Sequence, residues 1–343
     1  MAVETMTAVF EAFGESVAAF VREPVNTGSR LFVAYLLLSL IAAYAIYRVR
    51  RVGGGFFRFL FPEHVWSHPH AWLDLRYFVF HRIIGGVIKT GAATAIGLGI
   101  ILVAGSQTDV PPLTMETAPG GALAALLIGV VYLSLIMLGD FATFYIHYLQ
   151  HKIPLLWQFH KVHHAGEVMH PISNYREHPI DIVVYDIGTG FVHGLALGLA
   201  MRVIGYQPGS VDVLGISVAV LLFNGAAYSL RHSHIWLRWP GRWSAVFGSP
   251  AHHQVHHSRH PDHLDKNFAF MFPVWDVLFG TYCMPDDNRD VEFGIVEDSS
   301  ELNSCINLYA IPFRDAWRVL RSGQSEPFPS TLAAAARAPD AAE

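Results

Sequence analysis

A helix that crosses a membrane needs about 20 mostly apolar residues, and this sequence contains five runs of that kind: 31–47, 83–104, 122–146, 182–204 and 211–230. Only 15% of the 343 residues are charged and 52% are hydrophobic. Soluble domains carry roughly a quarter charged residues, so lipid is expected to be part of this chain's solvent. The Lys and Arg residues gather after the first, third and fifth runs, beginning with Arg48, Arg50 and Arg51, and the loop 105–120 has none. By the positive-inside rule the N-terminus is then outside and the C-terminus cytoplasmic. The expected fold is all-α: a multi-pass protein with about five spans and a cytoplasmic, histidine-rich helical cap.

Histidine is spread unevenly. Of 20 histidines, 16 lie between His147 and His263. His147 and His151 are one helical turn apart and share a face. His160, His163 and His164 repeat that relation as HxxHH, and so do His253, His256 and His257. Under the five-span topology every dense cluster reaches the same, cytoplasmic, membrane face. Neutral imidazole binds Zn, Cu, Fe and Ni. The 8 histidines of these boxes exceed what one tetrahedral zinc uses and suit two six-coordinate ions that keep open positions for oxygen. A merely solvated histidine-rich loop does not account for helical spacing beside apolar spans, where unpaired polar groups are costly.

Asp140 precedes His147 by two helical turns, on the same face. It is expected to accept the N–H of a ligating histidine and fix its tautomer. Glu167, just after His163 and His164, has the choice of the same role or an exposed loop position. His193 reads as a hydrogen-bonded core histidine. His170, His252, His260, His263 and the four histidines before Arg82 read as surface, hydrogen-bonding or packing groups. Phe141, Phe144, Tyr145 and Tyr148 read as packing, with a lipid access path as the alternative.

The stretches DFATFYIHYLQH (140–151), HKVHH (160–164), YREHP (175–179), RHSHIWL (231–237) and SPAHHQVHHSRHPDHLDKNF with WDVLFGTY (249–282) together resemble the fatty acid hydroxylase / sterol desaturase superfamily of membrane di-iron oxygenases. The last stretch is most similar to its alkylglycerol monooxygenase-like and bacterial sterol desaturase-like branches. The resemblance implies metal ligation and catalysis by His147, His151, His160, His163, His164, His253, His256 and His257. It adds His232, matching a family histidine just after the last span, and His178, matching a frequent family histidine before a proline. His234 stands where many members have Asn; ligation, a bond to a metal-bound water and packing remain open for it. The implied cofactors are two iron ions, with O2 as co-substrate. The implied reaction is hydroxylation, or alternatively desaturation, of a lipid or sterol C–H bond, at the cell membrane of a bacterium or the endoplasmic reticulum of a eukaryote.

The domains expected on this basis are an N-terminal segment (1–30, without a signal-cleavage pattern), a first span with its basic flank (31–60), the catalytic region with the remaining spans (61–285), a cytoplasmic unit (286–324) and a disordered Ala- and Pro-rich tail (325–343). In the cytoplasmic unit Phe313, Trp317 and Leu320 are spaced to form an apolar face at the membrane interface. No CxxCH, four-cysteine cluster or GxGxxG is present, so the reductant is expected to be a separate ferredoxin- or cytochrome-type partner. With a net charge of −5 and no basic tract, nucleic acid is not an expected partner. Cys283 and Cys305 are too few for a disulfide framework or a thiolate site. Two rival readings are a membrane metal transporter or sensor, whose ligands would sit near the bilayer midplane, and a zinc-dependent membrane hydrolase, for which an HExxH pair is missing.

Overall fold

Three prolines set where the histidine-bearing helices begin. A proline at the first helical position loses no hydrogen bond and arrives with its φ already set; Pro154, Pro179 and Pro250 each occupy that position. The computed structural model describes residues 14, 18, 21–26, 29–85, 97–100, 102–103, 122–204, 223–225, 228–286 and 291–323. Its helices are α1 (Val33–Val49), α2 (Phe56–Leu60), α3 (Glu63–Trp66), α4 (Pro69–Gly85), α5 (Ala122–Lys152), α6 (Pro154–His164), α7 (Pro179–Ile204), α8 (Pro250–His256), α9 (Val274–Phe279) and α10 (Cys305–Ser322). The described residues form no strand, only one antiparallel bridge between Ser258 and Phe293, in keeping with the all-α expectation.

Within α5 and α7, Gly129–Lys152 and Pro179–Val203 are long and apolar enough to cross a membrane. Only 22% and 17% of their apolar windows is buried inside the molecule, and Leu133 and Leu199 are largely exposed. A soluble core helix would have its apolar face covered. The two helices pack closely along each other: a Cβ on Gly188 would meet Ile146 Cδ1 at 2.6 Å, and one on Gly139 would collide with the His193 ring. His193 itself bonds the Thr189 carbonyl at 2.7 Å, a core arrangement. The expected runs 83–104 and 211–230 fall largely outside the described residues. The loop 105–120 and the tail 325–343 fall outside them, as does most of the segment 1–30.

Ile153 alone separates α5 from α6, so the chain reverses and lays α6 back beside the end of α5. On its other side α6 enters an apolar core with α4 and α10: Leu73, Tyr77, Trp157, Val162, Leu308 and Ile311 pack together there. Lys161, buried on α6, is neutralised by Asp315 of α10 at 2.8 Å. Phe313, Trp317 and Leu320 of α10 remain more than half exposed.

Two buried carboxylates fold the segment after α8. Asp140 accepts from the Met271 and Phe272 backbone N–H groups at 2.8 and 3.0 Å and from Trp275 Nε1 at 3.0 Å. Asp276 accepts from Phe268 N, Ala269 N and Thr281 Oγ1 at 2.8, 2.9 and 2.6 Å. Residues 266–275 are thereby fixed against α5, which places the carbonyls of Lys266 and Phe268 at the histidine cluster.

Candidate metal centre

Nine histidines converge in two groups. The first holds His147 and His151 of α5, His160 and His164 of α6, and His256 of α8; the second holds His163 of α6, His232, and His253 and His257 at α8. Within each group the potential ligand nitrogens lie within 4.8 Å of one another. The groups abut: the His164 and His257 rings stack with centroids 4.2 Å apart. The helical spacing explains the division. On α6, His160 and His164 are one turn apart and face α5, while His163 is turned toward His232. On α8, His256 and His253 split in the same way.

The outer ring nitrogens identify the tautomers. A carbonyl oxygen can only accept, so a ring nitrogen bonded to one must carry the proton. His147 Nδ1 donates to Phe268 O at 3.0 Å, His256 Nδ1 to Lys266 O at 2.8 Å, and His163 Nδ1 to Arg176 O at 3.3 Å. Ser173 Oγ donates to His170 O at 2.8 Å and is left to accept from His232 Nδ1 at 3.0 Å. His160 Nδ1 meets Asp181 Oδ2 at 3.0 Å. The Nε2 lone pairs of these rings therefore point inward. His232 and His257 bring Nε2 to 2.8 and 3.0 Å from His253 Nε2, and His151 Nε2 lies 3.1 Å from His164 Nε2. His160 Nε2 and His256 Nε2 are buried without a protein partner. Inward lone pairs at these distances repel one another unless a cation or proton lies among them. The donor set fits a metal in each group.

Protonation states agree. Burial pushes His163 and His256 down to about 3, and nearby histidines add to the shift. His164, His232, His253 and His257 lie well below the ordinary histidine value, chiefly through burial. All six are neutral near pH 7, the form in which imidazole ligates.

Several expected site residues stand elsewhere. His178 joins neither group: its Nε2 bonds the Tyr309 carbonyl at 3.1 Å, and its Nδ1 accepts from Ile180 N at 3.1 Å. Both nitrogens are thus spent on opening α7 and docking α10. Among the described residues Asp140 orients no imidazole, since its hydrogen bonds all go to residues 271–275; it acts on His147 only through the loop that carries Phe268. His234 bonds the Phe59 carbonyl at 2.8 Å. Glu167, itself exposed, faces the half-buried His68 at 3.6 Å in a trio with His70. His252, expected outside the site as a hydrogen-bonding or packing group, caps α8 with Nδ1 2.8 Å from Ser249 Oγ.

The carboxylate the sequence reading missed is Asp181. It holds His160 and receives Gln150 Nε2 at 2.6 Å. An acid two residues after the proline that opens α7 was a usable signal, because acids favour a first helical turn. Asp265, at positive φ, lies 3.6 Å from His151 Nδ1 and binds Lys152 at 2.5 Å.

A cavity of about 140 Å³ opens beside both groups, lined by His147, His160, His163, His232 and His253 and by a polar set that includes Arg30, Glu177 and Arg231.

The fatty acid hydroxylase family model matches residues 132–281, the stretch that supplies all nine histidines. This segment is similar to the fatty acid hydroxylase family. The fatty acid hydroxylase segment is similar to the alkylglycerol monooxygenases of Homo sapiens (27% identical over 46% of this chain and 31% of the relative) and Caenorhabditis elegans (24% over 53% and 32%). It is also similar to an ornithine lipid hydroxylase of Rhizobium tropici, at 28% over 47% of this chain and 44% of the relative. The match with the human protein thus spans about a third of that relative's length. No solved structure matches the chain at a significant level.

Proposed function

We propose that this chain is an integral membrane enzyme that hydroxylates a lipid C–H bond with two histidine-held irons and dioxygen. The observation that carries the reading is the pair of abutting histidine groups, with inward Nε2 atoms, beside one cavity. His147, His151, His160, His164 and His256 would hold one iron, and His163, His232, His253 and His257 the other. Bound iron supplies the activation of dioxygen.

The protein's own work is positional. Phe268, Lys266, Arg176, Ser173 and Asp181 hold the rings at fixed tautomer and angle. Burial of the rings beside Trp157 and Phe268 keeps bulk water away. The cavity admits the substrate against the inner walls of both groups. The two relatives named as a monooxygenase and a hydroxylase support hydroxylation over desaturation. The apolar, outward-facing surfaces of α5 and α7 support membrane insertion, and the Lys and Arg distribution of the sequence favours the cytoplasmic end for the histidine groups. A separate ferredoxin- or cytochrome-type partner would deliver electrons.

The test is elemental analysis of the purified protein together with oxygen uptake and lipid mass spectrometry. Close to two irons per chain, oxygen consumption and a lipid product heavier by one oxygen are expected. A single zinc with no iron, or metal loading without any oxidised lipid, would overturn the reading.

A further inference from the structure

The cavity beside the histidines carries a charge that no carboxylate among the described residues contacts. Arg30 is committed: its Nη1 donates to Glu177 Oε1 at 2.9 Å and to the Asn174 carbonyl at 3.0 Å. Arg231 is only 8% exposed, lines the same cavity, and makes no side-chain hydrogen bond or ion pair among the described residues. Its guanidinium instead lies over Phe270, 4.5 Å from the ring centroid, and 6.0 Å from that of Tyr228. Stacking engages the faces of a guanidinium and leaves the N–H edges free.

The nearby acids are otherwise engaged. Asp140 is saturated by residues 271–275, Glu177 by Arg30, and Asp181 by His160 and Gln150. Asp186, half-buried at the same cavity, forms no ion pair with Arg231. A buried cation without an anionic partner is costly to the fold, and arginine's donor fork matches carboxylate and phosphate oxygens. The cavity offers roughly ten times the space that one ordered water needs, enough for such a group and the carbons next to it.

The geometry points to Arg231 as the receptor for an anionic head group, a phosphate or carboxylate, on the lipid that enters this cavity. This rests on the lipid-hydroxylating reading and names the polar end of its substrate. Arg231 binds the head and so positions the carbons that follow it against the histidine wall. Asp186 leaves room for an ammonium on the same head, so that a zwitterion is accepted as well as a simple anion.

The experiment is binding to the detergent-purified, metal-loaded protein under anaerobic conditions, where no turnover occurs. The probes share one acyl tail and carry a phosphate, a zwitterionic aminophosphate or a neutral glycerol head; inorganic phosphate alone is the fourth. The charged-head lipids are expected to bind about 10–100-fold more tightly than the neutral one, the range of a charge-assisted pair. Arg231→Gln should remove that preference and Arg231→Lys should keep part of it, with metal content not reduced in either. Equal binding of charged and neutral heads by the unmutated protein would overturn the proposal. So would a preference that survives Arg231→Gln, or inorganic phosphate binding as tightly as the lipid. If Arg231→Gln does not insert, the unmutated protein and Arg231→Lys still decide. Aerobic incubation with the preferred lipid is a separate arm: binding without oxidation would sink the hydroxylase reading and leave the receptor intact.

Discussion

The five-histidine and four-histidine groups differ less in their ligands than in what stands behind them. In the larger group His147, His160 and His256 each have an outer acceptor within 3.0 Å, and Asp265 stands 3.6 Å from His151. In the smaller group His163 has a longer bond, 3.3 Å, and His232 has the Ser173 hydroxyl at 3.0 Å. The larger group has two carboxylates against its rings, whereas among the described residues none contacts a ring of the smaller group. Arg231 also adds a fixed positive charge next to His232 and His253, which opposes a cation there. Outer partners that orient ligating histidines are worth 10–100-fold in metal affinity. The two groups are therefore expected to hold metal unequally, the smaller one more loosely.

The harshest test removes a ligand from each side. His164→Ala and His257→Ala should both drop product formation to background, because the proposed reaction uses a metal in each group. Their metal contents should differ from each other: His257→Ala is expected to keep the iron of the larger group, leaving about one per chain by elemental analysis. A chelator titration of the unmutated protein should likewise release iron in two phases. Single-phase release, or full loading of His257→Ala, would break the comparison.

Acid should not distinguish the groups once metal is gone. His163 in one group and His256 in the other are both held near 3 by burial, against an ordinary 6.5. Between these values the unfolded chain binds more protons than the folded one, so stability is fully present above about 6.5 and is lost as pH falls toward 3. One pKa unit corresponds to about 1.4 kcal/mol, so the pair contributes several kcal/mol. Thermal unfolding of metal-free protein in detergent should show a melting temperature that falls steadily from pH 7 to pH 4. A flat profile would mean that these rings are not buried neutral.

The backing residues come next in size. Asp181→Asn preserves shape and removes the charge behind His160; a loss of about 10–100-fold in iron affinity is expected. Ser173→Ala removes a neutral partner of His232 and should cost about tenfold or less. An Asp181→Asn effect confined to the smaller group would reverse the ranking of the two.

These partners also mark what the sequence could and could not convey. The spacing of His147 with His151, and of the two HxxHH boxes, is a local property of a helix, and it placed eight of the nine converging histidines. The ninth, His232, came from the resemblance. Pro154, Pro179 and Pro250 likewise announce helix starts. The backing atoms are different in kind. The carbonyls of Phe268, Lys266 and Arg176 belong to no residue type in particular, and they reach their rings only through tertiary folding. Asp140 shows the same limit from the other side. Its face of α5 was legible, but its partners depend on where a loop more than a hundred residues later comes to rest. The all-helical class was legible from the apolar runs, two of which are helices long enough to cross a membrane among the described residues, whereas the division of nine histidines into five and four depends on how α5, α6 and α8 meet.

The smallest effect on metal is expected at His178, and it tests the boundary of both groups. This histidine accepts from Ile180 N and bonds the Tyr309 carbonyl, and its ring lies between those of Phe159 and Phe313, with centroids 5.0 and 5.2 Å away. His178→Asn retains an acceptor for the first turn of α7 and gives up the Tyr309 bond and part of the ring packing. A loss of about 1 kcal/mol of stability is reasonable for one such bond, visible as a lowered melting temperature. Iron content should stay at the unmutated level, because neither nitrogen of His178 faces a ligand nitrogen of either group. The variant is best run beside His257→Ala, with iron measured per membrane-inserted chain. If His178→Asn lost iron as His257→Ala is expected to, the four-histidine group would have a fifth member, and the inequality between the two groups would have to be argued afresh.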